Sequence, residues 1–501
     1  MSISFGITEI FTFTNIAIAF LGVFVGIIIG ALPGLTPTMG IALMLPFTLS
    51  MEPLPSFALL LGIYVGGTYG GSISAILIRT PGTPQAVATL LDGYPLARSG
   101  KASEALSTAV IASGFGGIFS NIVLILLAGN IAKVALAFGP AEYFAVGLFG
   151  LSMVASFCAS GVDKGLFACG VGLLISTIGI DDIGGMSRFA YTKNMIGGIQ
   201  TVSALIGLFA LTEVITKAVD SVKHDKIEET EVSNKLVPGK EIARNIPNMF
   251  RSAFIGTFIG IVPATGGGIA AFLAYNEAKR ASKHPEKFGT GNYEGVFAAE
   301  TANNAVTGGA LIPLLTLGVP GDTITAVLMG ALTIQGLAPG PLLFENNPTV
   351  INGIYLLLLM SNIFMIILGL AGTRLFMHVI KIPNDVLLPC VMLLCFIGSY
   401  ASGSKIFDMK TALVLGIVGF LFTLGNIPPA PTLLGIILGK TIESNMRRAL
   451  VISNGSWTIF LRKPICLLFL ILSIVSVLFV ALRDVLPSKK KREKKSEQTA
   501  E

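Results

Sequence analysis

Twelve stretches of this chain run for about twenty residues, the length a helix needs to cross a bilayer, with no Asp, Glu, Lys or Arg: 10–51, 53–78, 105–132, 143–162, 194–212, 252–276, 301–321, 323–344, 346–373, 386–404, 411–439 and 464–482. Several can hold a span and half of another helix, so the length rule gives roughly ten to fourteen membrane segments. Only 12% of the residues are charged, against about 25% in soluble domains. In lipid every backbone polar group must be satisfied internally, which restricts such a chain to helices or a closed barrel. Uninterrupted apolar runs of this length select the helix. The expected class is an all-α polytopic integral membrane protein.

The first window follows MSISFGITE, which lacks a basic n-region and a cleavage site, so it reads as a retained first helix with no signal peptide. The net charge of +6 owes much to Lys489, Lys490, Lys491, Arg492, Lys494 and Lys495 behind the last window. A juxtamembrane basic run is a topogenic signal and places that end in the cytoplasm; no nucleic-acid partner is expected. The five cysteines lie in apolar surroundings without ligand spacing, and the three histidines are far apart. Neither a disulfide framework nor a histidine metal site follows.

Gly and Pro break several windows. GIIIGALPGLTPTMG (26–40) must lose its helix near Pro33, because proline removes a donor and disfavours helix at the residue before it. GGTYGGS (66–72) leads into ILIRTPGTPQAVATLLDG (76–93), with Arg79 just before the turn. Residues 217–248 form a polar tract around Pro238 and Gly239, which reads as a linker between halves. Across it, GIIIGALPGLT (26–36) aligns with GTFIGIVPATG (256–266) at an offset of 230, pairing Gly26 with Gly256, Gly30 with Gly260 and Pro33 with Pro263. TYGG (68–71) and TPGT (80–83) align with TGGA (307–310) and VPGD (319–322) at an offset of 239. The organisation expected is a first membrane repeat at 1–216, a linker at 217–248, a second repeat at 249–484 and a basic tail at 485–501, with broken helices or re-entrant hairpins paired between repeats.

Matched broken helices point to a secondary-transporter binding site. Half-helix N-termini aim free N–H groups at an anion, while unwound carbonyls and short polar side chains take a cation. The anion candidates are Pro33, Gly34, Thr36, Thr38, Thr80, Pro81, Gly82, Thr83, Thr265, Gly266, Gly267, Pro320 and Gly321, together with Arg79, which otherwise snorkels to an interface. In ETANNAVTGGALIPLLTLGVPGD (300–322), Glu300, Asn303, Asn304 and Thr307 stand at i, i+3, i+4 and i+7 and share a helical face. With Asp322 they are the cation candidates: Na⁺ on Asn303, Asn304 and Asp322, or a proton on Glu300. The same residues admit plain roles, the asparagines linking helices, Glu300 capping an end and Asp322 acting as an N-cap. The residues 178–194, dense in Asp, Gly and aromatics, have no role assigned from the sequence.

Four stretches carry a family resemblance: GALPGLTPTMGIALMLP from Gly30, YGGSISAILIRTPGTPQAVATLLDGYPLARSGKASEAL from Tyr69, GIVPATGGG from Gly260 and EGVFAAETANNAVTGGALIPLLTLGVPGD from Glu294. With them the chain resembles the large membrane subunit of the bacterial tripartite tricarboxylate transporters. The resemblance implies a binding-protein-dependent importer of tricarboxylates or dicarboxylates in the bacterial inner membrane. It further implies drive by a Na⁺ or H⁺ gradient, no ATP and no cofactor. The partners implied are a small membrane subunit and an extracytoplasmic solute-binding protein. No GxxxxGK[ST] phosphate loop is present. An enzyme is not expected; an intramembrane enzyme using Asp322 or the Asp181–Asp182 pair, or a passive channel subunit, are the alternatives.

Overall fold

The computed structural model describes residues 7–33, 35–156, 161–181, 183–220, 235–263, 265–372, 375–376 and 384–485. Residues 221–234 of the linker and 486–501 of the basic tail, as well as Gly34 and Asp182, therefore lie outside the described residues.

The described residues are mostly helical. In order, α1 is Phe13–Ala31, α2 Pro37–Thr48, α3 Pro53–Ile78, α4 Val87–Leu96, α5 Ala102–Ala135, α6 Pro140–Ser156 and α7 Val162–Ser176. A two-residue pair of antiparallel strands, β1 Gly179–Ile180 and β2 Ser187–Arg188, forms a hairpin. Then come α8 Thr201–Val219, α9 Gly239–Ile261, α10 Gly266–Ala281, α11 Tyr293–Leu317, α12 Thr323–Ile334, α13 Pro348–Ala371, α14 Asn384–Gly403, α15 Ile406–Leu424, α16 Pro429–Ile452 and α17 Pro464–Val485. Seven described helices are long and apolar enough to cross a membrane, among them α1, α3, α8, α13, α14 and α15. With 23, 25 and 24 residues, α9, α11 and α16 reach that length while carrying more polar groups.

Two compact units emerge from the contacts. One comprises Met1–Ala137 and Gln200–Phe420, the other Phe138–Ile199 and Leu421–Glu501. This division by contact differs from the division by repeat, since the first unit holds the broken segments of both halves.

Within that unit the two repeats pack alike. A Cβ on Gly26 of α1 would meet the Ile63 backbone of α3, and a Cβ on Gly256 of α9 would meet Ala302 of α11, the residue 239 positions further on. Gly30 abuts the Gly67 carbonyl, as Gly260 abuts that of Val306; Gly70 abuts the Ile27 carbonyl, as Gly309 abuts that of Thr257. Small residues let the helix backbones approach to this distance, which is how membrane helices pack without a hydrophobic driving force between them. At the second break, Gly82 faces the Gly30 carbonyl and the Gly71 Cα, while Gly321 faces the Gly260 carbonyl and the Ala310 Cα. Thus each broken segment folds back onto the helix pair of its own repeat.

The helix ends correspond too. α3 ends at Arg79 with φ 59°, and α11 ends at Gly318 with φ 68°, again 239 positions apart. A left-handed C-cap costs glycine little and arginine more, so the first repeat holds strain that the second avoids.

α3 is the central helix of this unit, with 94% of its spanning window buried. In contrast, α15 shows Val414, Ile417, Leu421 and Leu424 on its surface. Exposed aliphatic residues along one face are the expected lipid-facing surface of a multi-pass membrane protein.

Candidate functional site: two junctions of half-helix N-termini

In each repeat the chain leaves a proline break and starts a new helix, and it does so twice. The four starts meet in two pairs, each pair joining one repeat to the other.

The first junction joins α2 to α12. Thr36 caps α2 by accepting from the Met39 N–H, and Pro37 occupies the first turn, where no donor is lost. The Thr38 and Thr323 hydroxyls lie 3.5 Å apart. Asp322 is the N-cap of α12 in a reciprocal capping box: its Oδ1 accepts from the Thr325 N–H, and the Thr325 hydroxyl accepts from the Asp322 N–H. Its other oxygen accepts from the Tyr64 hydroxyl at 2.9 Å. Both carboxylate oxygens are engaged, and the junction is closed.

The second junction joins α10 to the 3₁₀ turn Pro84–Ala86 that precedes α4. A Cβ on Gly267 would meet Asn303 Oδ1 and the Gln85 side chain, and one on Gly268 would face the Pro84 carbonyl. Thr83 occupies the N-cap position yet makes no capping bond. Thr83 Oγ1, Gln85 Oε1 and Asn303 Oδ1 are buried with no hydrogen-bond partner. Such groups cost about 1–3 kcal/mol each when left so.

The four polar residues of α11 do not act as one face. Glu300 is fully buried and accepts from the hydroxyls of Ser72, Thr89 and Ser113, which ties α11 to α3, α4 and α5. Asn304 joins that cluster, its amide donating to Ser113 Oγ at 2.8 Å and to the Glu300 carbonyl, and Thr307 donates to the Asn304 carbonyl. Asn303 points elsewhere, towards Gly267 and the Thr68 carbonyl.

The anion candidates also separate. Gly82, Thr83, Pro320 and Gly321 are buried at the breaks, whereas Arg79 and Thr80 are exposed, Arg79 lying over the Tyr94 ring at 5.7 Å. Pro81 is half-buried. The Pro33 carbonyl accepts from Lys217 Nζ at 2.7 Å. Thr265 is turned back on the end of α9, its hydroxyl against the Ile259 and Val262 carbonyls, and Gly266 takes φ 68° to start α10.

Tyr64, Lys217 and the three hydroxyls around Glu300 were not singled out by the sequence. Tyr64 had a usable signal, since it stands 239 positions before Asn303 just as Thr83 stands 239 before Asp322. The hydroxyls had none, because Ser and Thr in an apolar helix ordinarily bond to their own backbone.

Residues 178–194, left without a role by the sequence, contain the β-hairpin of the second unit. Arg447 pairs with Asp181 at 2.7 Å, and Arg188 makes two parallel bonds to Glu443 at 2.8 and 3.0 Å. The Arg447 guanidinium, with help from the Ile183 N–H, lowers the Asp181 carboxyl to about 2. This carboxylate is a tether. Among the described residues no three His, Cys, Asp or Glu side chains gather as a metal site.

Residues 16–434 match the tripartite tricarboxylate transporter TctA family. A protein of Agrobacterium vitis described as an uncharacterized 52.8 kDa protein in the TAR-I ttuC' 3' region is 36% identical over 485 residues, 97% of this chain and 96% of its own. A second, described as an uncharacterized protein in the TAR-II ttuC' 3' region of the same organism, is 36% identical over 230 residues, 46% of this chain and 95% of its own. No solved structure matches. The matched span covers both junctions and most of both repeats, and the chain belongs to the TctA family, the large membrane subunits of tripartite tricarboxylate transporters.

Proposed function

We propose that the chain is a secondary carrier that takes a tricarboxylate or dicarboxylate inward by alternating access, driven by a Na⁺ or H⁺ gradient. It works with an extracytoplasmic solute-binding protein and a small membrane subunit in the bacterial inner membrane, its C-terminus cytoplasmic. The observation that carries this reading is the meeting of half-helix N-termini from both repeats. Free N–H groups and the positive ends of helices favour carboxylates, and a site shared between repeats can be opened to one side or the other by moving one against the other. Arg244, Arg251, Lys283 and Lys287 also line a cavity of about 640 Å³ near the start of α11, against Glu241 and Glu294. Such a basic mouth concentrates anions.

The coupling ion is drawn to Asn303 and Asn304, whose side-chain oxygens are unpartnered, more than to Asp322 or Glu300, whose carboxylates hold the scaffold. An intramembrane enzyme is disfavoured because its candidate acids are engaged: Asp322 in a cap and Asp181 with arginines. Purified protein in liposomes with its small subunit and binding protein tests the carrier reading. Uptake of labelled citrate or a dicarboxylate should need both a cation gradient and the binding protein. Flux that ignores the gradient would indicate a channel and overturn it.

A further inference from the structure

The cavity of about 640 Å³ lies where α9 begins, α10 ends and α11 begins, at the far end of α10 from the junctions. With 16 residues at 1.5 Å each, α10 separates the two by about 24 Å along its axis. The walls of the cavity are fixed by the fold. Asp92 of α4 is fully buried, and its Oδ1 accepts from the N–H groups of Gly289, Gly291 and Asn292 at 2.9, 3.0 and 2.8 Å. Its Oδ2 accepts from the Tyr275 hydroxyl of α10 at 2.9 Å, so one carboxylate pins the α10–α11 loop. Arg251 is held as well: its Nη2 donates to Asn248 Oδ1 at 3.0 Å, and the Asn248 amide donates to the Glu294 carbonyl.

Arg244, Arg251, Lys283 and Lys287 line this cavity against Glu241 and Glu294. Among the described residues none of these four cations is paired with a carboxylate, although the neighbouring Arg280 pairs with Glu277. Cations that share a cavity repel one another, and an anion between them turns repulsion into attraction. The start of α11, a 25-residue helix, adds its positive end. From the same place an apolar lane runs along α9, where Ile246, Phe250, Phe254 and Phe258 recur every four residues and are exposed. Phe250 and Phe254 stand edge-on to Phe115 and Phe119 of α5, and Arg251 lies within a turn of both.

We propose that the cavity binds the phosphate of an anionic phospholipid, with the acyl chains laid along the Ile246 to Phe258 lane. An arginine fork takes two phosphate oxygens at once, and lysines act as point charges around them. The joining of a basic cavity to an apolar lane distinguishes a lipid from a free anion, which has no use for the lane. The same end of the repeat carries Arg98, Lys101, Lys240, Lys279 and Arg280, with Lys101 over the Tyr293 ring, whereas residues 262–265 at the other end of α9 carry no charge. By the positive-inside rule the cavity faces the cytoplasmic leaflet, where basic pockets between helices take anionic headgroups. Gripping α9, α10 and α11 together, the headgroup stabilises the folded second repeat. This assignment does not rest on the carrier reading.

The test uses the full chain in detergent, titrated with phosphatidylglycerol or with phosphatidylcholine of the same acyl chains. Lipid retention is read by native mass spectrometry and stability by thermal unfolding. Phosphatidylglycerol should be retained and raise the midpoint at concentrations where phosphatidylcholine does neither. Arg244→Gln and Arg251→Gln should each weaken retention by about tenfold to a hundredfold, as expected for losing a charge-assisted bond. Lys287→Gln, at an exposed position that leaves the fold intact, should weaken it less, and Arg280→Gln, outside the cavity, should leave it as in the wild type. Equal retention of the two lipids marks an ordinary lipid shell and overturns the site. So does wild-type retention of phosphatidylglycerol in the Arg244→Gln, Arg251→Gln double variant. Inorganic phosphate or glycerol 3-phosphate that raises the midpoint as phosphatidylglycerol does would assign the cavity to a free phosphate and overturn the lipid. Citrate that does so would give it to the transported acid and overturn the lipid equally.

Discussion

The two junctions start from one plan and diverge in two side chains. At the α2–α12 junction a carboxylate caps the helix and receives a tyrosine hydroxyl, so every polar atom of the pair is used. At the α10 junction the equivalent threonine and asparagine are too short to meet, and their oxygens are left bare. The scaffold occurs in two copies, and divergence makes one a strut while the other keeps unpartnered oxygens. The strut contributes stability, whereas the open junction gives it up.

The comparison breaks first if the shared scaffold is wrong. Gly82→Val and Gly321→Val should each stop uptake and lower stability by about 3 kcal/mol or more, because the new side chain meets the backbone of its own repeat, which cannot shift as a side chain can. Wild-type uptake in either variant would remove these breaks from the working parts.

Glu300→Ala should cost a similar amount, about 3 kcal/mol, by leaving the hydroxyls of Ser72, Thr89 and Ser113 without their acceptor. Glu300→Gln should recover part of it, and if uptake by the Gln variant keeps its ion dependence, Glu300 is a cross-link and no carrier of protons.

The sharpest contrast lies between the capping positions. Asp322→Ala loses a cap worth about 1 kcal/mol and leaves a buried tyrosine hydroxyl unpaired, so the unfolding free energy should fall by about 2–4 kcal/mol. Thr83→Val removes a hydroxyl that bonds to nothing and should change stability by less than about 0.5 kcal/mol. Equal losses in chemical unfolding of the two variants would erase the distinction between strut and open site.

A control outside both junctions has the smallest effect. Asp181 is lowered in the folded protein, so the stability it contributes is present above about pH 4, the unfolded value, and is lost as pH falls towards about 2. Asp181→Asn should free the hairpin, read as faster amide exchange over residues 178–196, and leave uptake unchanged.

Much of this was legible in the chain. Uninterrupted apolar windows demand helices because lipid offers no partner for a bare backbone, and the paired offsets of 230 and 239 residues carry through to helix contacts and helix ends. Gly82 and Gly321 were identifiable because close backbone approach excludes any other residue. The α11 face was only half legible. Spacing puts Glu300, Asn303, Asn304 and Thr307 on neighbouring positions, but one turn of helix is wide enough for Asn303 to face α10 while Glu300 and Asn304 face α5.

By itself, then, the sequence determined the helical membrane class, the duplication, the places where helices must break and the family. Only the tertiary structure decided which break meets which, that Asp322 is satisfied by Tyr64, and that Thr83, Gln85 and Asn303 keep unpartnered oxygens. The physical reason is that helix breaking and lipid solubility are properties of a residue and its chain neighbours. Whether a polar atom is satisfied depends instead on side-chain length across a gap, and here that gap lies between residues more than two hundred positions apart.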